Sequence, residues 1–274
     1  MLPGMAGGLF RIAGMALGVA AISALLLAER AAPLRQRTRK QAPRISRNIA
    51  MGAACQAAIM VSEAPLSNAV ARYNARGGRG LQHRLGGGWA GRAAAFLAMD
   101  YGFYLWHVAT HKVPFLWRFH RVHHVDADLD ASTAIRFHFL DMIVSTPWRL
   151  VQVRLSGIDR PALDAWRLFF LGSILFHHSN WRLPGRLDAL LSQLITTPRM
   201  HGIHHSQVLA EMDSNWTSGI ALWDHLHGTF RDRPAQHAIT IGVDDTRAAH
   251  DEALLPALAA PFRTPPAGGR IEGA

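Results

Sequence analysis

Apolar residues in this chain gather into long runs, broken by short charged or glycine-rich stretches, with no sustained alternation. That rhythm predicts helices rather than half-buried strands. The first run, Ile12 to Ala28, is uncharged and ends at Glu29-Arg30. It is just long enough to cross a bilayer. No small-x-small cleavage signature precedes the charged stretch, so an uncleaved anchor is favoured over a signal peptide. A second run, Ile49 to Ser62, stops at Glu63-Ala64-Pro65 and reads as a weak span or a re-entrant helix. Asn74 to Gly88 is rich in Gly and Arg and reads as a mobile loop. Gly91 to Trp106 is a helical stretch carrying Arg92 and Asp100. Phe137–Val153 and Ala162–Phe176 then form an apolar pair around the turn-like segment Ser156 to Pro161. Dipping from one side as a hairpin, that pair would return His178 to where His124 left. After Arg231 the sequence is rich in Pro and Ala and reads as peripheral, apart from Ile239 to Val243.

The fold this predicts is all-α, a multi-span helical membrane protein with a histidine-rich helical cap. Three regions follow: residues 1–88 as membrane anchor and basic loop, 89–232 as the catalytic domain, and 233–274 as the tail. Arg30, Arg35, Arg37, Arg39, Lys40, Arg44 and Arg47 follow the first run and place that loop, and the cap with it, in the cytoplasm. The arginines of the Asn74–Gly88 loop strain this topology, since they too favour the cytoplasm.

Composition sharpens the class. Apolar residues make up 49% and charged ones only 18%, which leans toward a membrane. The net charge of +10 sits beside apolar runs and no nucleic-acid motif occurs, so anionic lipid headgroups are the expected counter-charge. The single Cys55 excludes an intrachain disulfide and a cysteine-ligated iron–sulfur cluster. Electrons for any redox reaction must come from another protein.

The chemistry lies in the histidines. They occur as His107-x3-His111, His120-x2-His123-His124 and His201-x2-His204-His205. On a helix, positions i, i+3 and i+4 share one face, so each cluster can aim its rings at one point. Eight imidazoles exceed the coordination of one tetrahedral zinc, and two metal ions fit better. Imidazole suits iron, zinc or copper, so the ligand type does not choose the metal. Asp100, an ionisable group inside an apolar helix, is a further functional candidate. The zinc-protease motif His-Glu-x-x-His and the Gly-x-Ser-x-Gly elbow are both absent. Metals held at the ends of apolar helices would sit beside lipid chains, whose C–H bonds call for redox chemistry.

The stretch Asp100-Tyr-Gly-Phe-Tyr-Leu-Trp-His107 through His124 resembles the signature of the fatty acid hydroxylase/sterol desaturase superfamily. So do Thr133 to His138, His178-Ser-Asn180, Thr197 to Ser206 and Trp223-Asp224. The resemblance runs in order from about residue 90 to 230. It implies an integral-membrane, non-haem di-iron enzyme that uses O2 to hydroxylate or desaturate a lipid, with zinc a possible occupant after purification. It also implies a separate reductase or electron carrier. The short, bacterial-style chain suggests a bacterial inner membrane, although the basic loop would read the same at an endoplasmic reticulum.

Carried over, the metal ligands would be His107, His111, His120, His123, His124, His178, His201, His204 and His205. Asp100, His138, Asp141, Asn180 and Asp224 would be polar neighbours of the site. Arg182, four residues after His178, departs from the His-x3-His of some members and leaves His177 open as an alternative to His178. Val108 stands where relatives often carry arginine, and His225 and His227 where they are usually apolar. Trp106, Phe115, Trp117 and Phe119 could line a lipid channel or anchor the chain at the interface. Two rival readings are a zinc-dependent membrane hydrolase, with Asp100 or Asp224 as base, and a non-catalytic metal-binding or transport protein.

Overall fold

A computed structural model of the chain describes the backbone of residues 3–264 and the side chains from residue 16 onward. The side chains of Ile12, Ala13 and Met15 in the expected anchor, and residues 265–274 of the expected tail, lie outside the described set. The long helices are α1 (Pro3–Ala31), α2 (Gln41–Val61), α3 (Glu63–Gly77), the short α4 (Leu81–Arg84), α5 (Trp89–Lys112), α6 (Pro114–His124), α7 (Phe139–Ser156) and α8 (Arg160–His178). Short helices follow as α9 (Gly185–Leu191), α10 (Pro198–His204), α11 (Leu209–Met212), α12 (Leu222–His227), α13 (Ala248–Asp251) and α14 (Leu254–Ala259). Among the described residues there is no strand, only isolated bridges such as Ile195–Ile220 and Ser206–Ile241.

The expected stop at Glu63-Ala64-Pro65 is only a break. Ser62 leaves helical geometry (φ −118°, ψ −79°) and the helix resumes at once. Pro65 falls in the first turn of α3, where its missing N–H would have no intrahelical partner. Gln41–Arg84 is therefore the one stretch, among the described residues, that is long and apolar enough to cross a membrane, with an 18-residue window of mean hydropathy 1.4. Helix α1 exposes the apolar side chains of Leu17 (71%), Val19 (66%) and Leu27 (65%).

The bundle of α3, α5, α7 and α8 closes over Ala71, Ala95, Met99, Val153, Leu163 and Trp166. Its end opposite the histidines is pinned by two glycines. A Cβ on Gly80 (φ 86°) would lie 2.3 Å from the Cα of Gly157 (φ 68°), so the link before α4 sits directly on the α7–α8 turn. The stretch Asn74–Gly88, expected to be mobile, is thus anchored. Buried Gln82 donates to Asp159, which also accepts from Arg92 Nε (2.8 Å) and caps α8.

The opposite end carries the cap. The basic linker after α1 binds it directly. Leu34 donates to the Asn180 carbonyl (2.8 Å), and Thr38 and Arg39 donate to Asp128. Buried Arg44 pairs with Asp126 (2.8 Å) and Asp130 (2.5 Å). The tail is not peripheral as far as residue 264. Arg121 on α6 pairs with Asp245 and Asp251, Arg136 donates to the Asp251 and Glu252 carbonyls, and Val243 and Ala257 are buried against the cap.

Candidate metal centre

Three local signals bring the histidines together. Proline 114 drives Val113 out of the helical region (φ −96°, ψ 115°), which ends α5 and starts α6 at once. The sharp turn lays His111 on His120 and His124, with ring centroids 4.8 and 4.6 Å apart. The α7–α8 hairpin returns the chain, and His178 Nε2 lies 3.0 Å from His123 Nε2. Finally, Thr197 caps α10 with Pro198 at its first position, which sets His201 and His205 on one face, Nε2 to Nε2 at 3.1 Å.

The result is two clusters of buried imidazoles. His107, His111, His120, His124 and His204 offer ligand atoms within 4.8 Å of one another, and so do His123, His178, His201 and His205. These are the nine histidines expected from the sequence. His177 is in neither cluster, although its ring lies 4.0 Å from that of His201. His225 faces the Ser192 carbonyl and His227 the Tyr101 hydroxyl, both away from the clusters.

The donor set fits cations. His107 Nδ1 lies 2.6 Å from the Trp216 carbonyl, His123 Nδ1 3.1 Å from that of Arg136, His178 Nδ1 2.7 Å from that of Ile174, and His204 Nδ1 2.9 Å from that of Ser214. Each carbonyl can only accept, so each neutral ring carries its proton on Nδ1 and presents a bare lone pair at Nε2. His123 and His178 therefore aim two lone pairs at each other across 3.0 Å, with no proton between them. A cation resolves that repulsion. Two nitrogens each about 2.1 Å from one metal and at right angles lie about 3.0 Å apart.

Electrostatics keep the rings in the binding form. Burial, followed by neighbouring imidazoles, pushes His123, His124, His201 and His205 well below the usual histidine range, and burial brings His204 down to about 3. A histidine held neutral in the fold but free to protonate when unfolded stabilises the fold above its unfolded pKa, near 6.5. That contribution is lost as pH falls toward 3, by about 1 kcal/mol per group per pH unit. The melting temperature of the metal-free protein should therefore fall steeply below pH 6.5. A flat profile from pH 7 to 5 would contradict buried, neutral imidazoles.

The polar neighbours divide by what they touch. The Asp141 carboxylate lies 3.6 Å from His120 Nδ1, an electrostatic contact longer than a hydrogen bond. Asp141→Asn removes the negative charge beside His120 and should weaken metal retention by up to about 10-fold, measured by chelator competition. Asp224 accepts from the Trp216 and Thr217 amides and from Thr229 Oγ1, and so fixes the strand-like segment whose carbonyl orients His107. Asp100 accepts from Trp223 Nε1 and the Ile220 amide. His138 caps α7 and faces the Leu258 carbonyl, and Asn180 exchanges hydrogen bonds with the Arg35 backbone.

A cavity of about 450 Å³ opens on His107, His120, His123, His178 and His201 and runs between α2, α3, α5, α7 and α8. Trp106 lines it, as expected, but Phe115, Trp117 and Phe119 do not. Its aromatic wall comes instead from Phe103, Phe137, Trp166 and Phe170. The signal available for Phe103 and Phe170 was helical register: they lie four and eight residues before His107 and His178.

The fatty acid hydroxylase family matches residues 92–229, half of the chain. The ornithine lipid hydroxylase OlsE of Rhizobium tropici is 32% identical over 169 residues, covering 60% of this chain and 47% of that protein. Human (Homo sapiens) alkylglycerol monooxygenase is 31% identical over 139 residues, covering 50% of this chain and 30% of that protein. Cholesterol 25-hydroxylase of Mus musculus is 24% identical over 145 residues, covering 52% and 47%. The chain thus spans about half the length of some of these relatives and less of others. No solved structure matches it. With nine buried imidazoles in two clusters and a family match across the segment that carries them, the chain belongs to the fatty acid hydroxylase family.

Proposed function

We propose that this protein is a membrane lipid hydroxylase that inserts one oxygen atom of O2 into a C–H bond of a lipid chain. The observation that carries the reading is the pair of buried imidazole clusters at the wall of a largely apolar cavity. The names of the relatives, which are hydroxylases and monooxygenases, favour hydroxylation over desaturation. The overall balance is a C–H bond, O2, two electrons and two protons going to an alcohol and water. The electrons come from a separate reductase or carrier, since Cys55 is the chain's only cysteine and no haem- or flavin-binding module is recognisable.

Two irons would be held by the five-histidine and four-histidine clusters and would supply the O2 chemistry. The residues around them position and exclude. Backbone carbonyls behind His107, His123, His178 and His204 hold the rings so that Nε2 faces inward. Asp141 and Glu63 are the carboxylates that line the cavity with the histidines, and Asp141 is the one beside His120. Phe137 stacks on His123 at 4.1 Å and covers it from the cavity side. Asp100 and Asp224, the bases a zinc hydrolase would need, are committed to Trp223, Ile220, Trp216 and Thr217 and do not line the cavity.

Since the cap is bound to the basic linker, positive residues and histidines share one face, which we place in the cytoplasm of a bacterial inner membrane. The test of function is incubation with membrane lipid, ferrous iron, a reducing system and 18O2. A lipid product carrying one 18O atom is expected. Products made equally without O2 would overturn the reading in favour of a hydrolase.

A further inference from the structure

The far wall of the cavity carries a cation that the oxygenation chemistry does not use. Arg149, half-buried on α7, lines the same cavity as the histidines. Its guanidinium carbon lies over two rings, 4.5 Å from the Trp166 centroid and 5.7 Å from that of Phe103. One nitrogen donates to Gln152 Oε1 at 2.8 Å, and Gln152 is itself fixed by donating to the Met99 carbonyl. No carboxylate pairs with Arg149 among the described residues. The nearby acid, Glu63, is taken by Arg167, which also binds Ser67 and Asn68. An unmatched, preorganised guanidinium in a largely apolar cavity has a fork of donors free for an oxyanion.

We propose that Arg149 binds the anionic headgroup of the substrate, a carboxylate or phosphate, and so sets which carbon reaches the metals. The proposal rests on the lipid-hydroxylase reading for its reaction, but not for its binding. Phe103 links the two ends, its ring 5.7 Å from the Arg149 guanidinium carbon and 6.1 Å from the His107 ring, so guanidinium and imidazole lie within about 12 Å. Carbon–carbon bonds of about 1.5 Å advance an extended chain by about 1.3 Å per atom. The oxidised carbon therefore lies within about ten positions of the headgroup. An anchored headgroup counts positions from the acid end, whatever the chain length.

The test is equilibrium binding to the full chain in neutral phosphatidylcholine nanodiscs, using palmitate, phosphatidate and methyl palmitate. The first two carry the anion on a single-chain acid and on a membrane lipid, and whichever binds identifies the source. Methyl palmitate lacks the charge. Arg149→Gln is expected to weaken the bound anion ten- to a hundred-fold, in keeping with loss of a charge-assisted, two-point contact. It should leave methyl palmitate unchanged, and Arg149→Lys, which keeps the charge but not the fork, should recover only part of the affinity. Methyl palmitate binding as tightly as the anions, or losing as much on Arg149→Gln, would overturn the proposal. So would Arg149→Gln leaving anion affinity intact. Failure to oxidise any bound chain would strike the reaction and leave the anchor standing.

Discussion

Alanine at His178 is expected to empty the four-histidine cluster and lower lipid oxidation by more than about 100-fold, beyond the 10- to 100-fold that partners behind the ligands carry. His178 is central there: its Nε2 lies 3.0 Å from that of His123 and 2.9 Å from that of His201. Its Nδ1 proton is committed to the Ile174 carbonyl, so no tautomer of another residue replaces the lost lone pair. The contrast is His177→Ala. His177 is fully buried and touches His201, yet belongs to neither cluster. That variant should lose stability through its cavity, about 1–3 kcal/mol for a lost buried side chain, while keeping its metal. Metal analysis beside thermal melting separates the two. Equal metal loss in both variants would mean that the division into clusters is wrong.

Arg44→Met is expected to destabilise the protein by about 3–5 kcal/mol, because it leaves two carboxylates buried without their cation. Arg44 is fully buried and bonds Asp126, Asp130, the Asp128 carbonyl and Thr133 Oγ1. The methionine conserves volume, so packing loss contributes little. This network joins α2 to the loop between His124 and the 3-10 turn Ala131–Ile135. The loop in turn leads to Arg136, whose carbonyl orients His123. The variant should therefore melt earlier and also release metal from the four-histidine cluster more easily. The double variant Arg44→Met/Asp130→Asn should recover part of the loss, because one orphaned charge is gone. A melting temperature within a degree of the parent would show that the linker is not a support of the cap.

The three histidine motifs that feed the two clusters were legible in the sequence because helix geometry leaves few alternatives, while His178 as a ligand came from the resemblance alone. Spacings of three and four put rings on one face. The hairpin from His124 to His178 was legible too, since two apolar runs flank a Gly-Asp-Pro turn. What the sequence withheld was pairing at a distance. It grouped the histidines by motif, whereas the fold mixes them: His204 leaves its motif to join His107, and His123 parts from neighbouring His124. Asp224 and Asn180 sit in motif stretches, but their hydrogen bonds run to backbone that only the fold brings near. The tail read as peripheral because Asp245, Asp251 and Glu252 look like surface acids until Arg121, Arg136 and Arg39 are seen to meet them. Pro65 misled for a simple reason: a proline ends a helix only when it falls beyond the first turn.

Each of the two imidazole clusters would hold one iron. Metal content per chain, measured on protein expressed with iron supplementation and purified in detergent, tests it most directly. It should be run beside His124→Ala and His178→Ala, one from each cluster. Two irons per chain in the parent, with about one lost in each variant, is the predicted result. A parent without stoichiometric metal, or with two tightly held zincs and no oxidation after iron reconstitution, would contradict it.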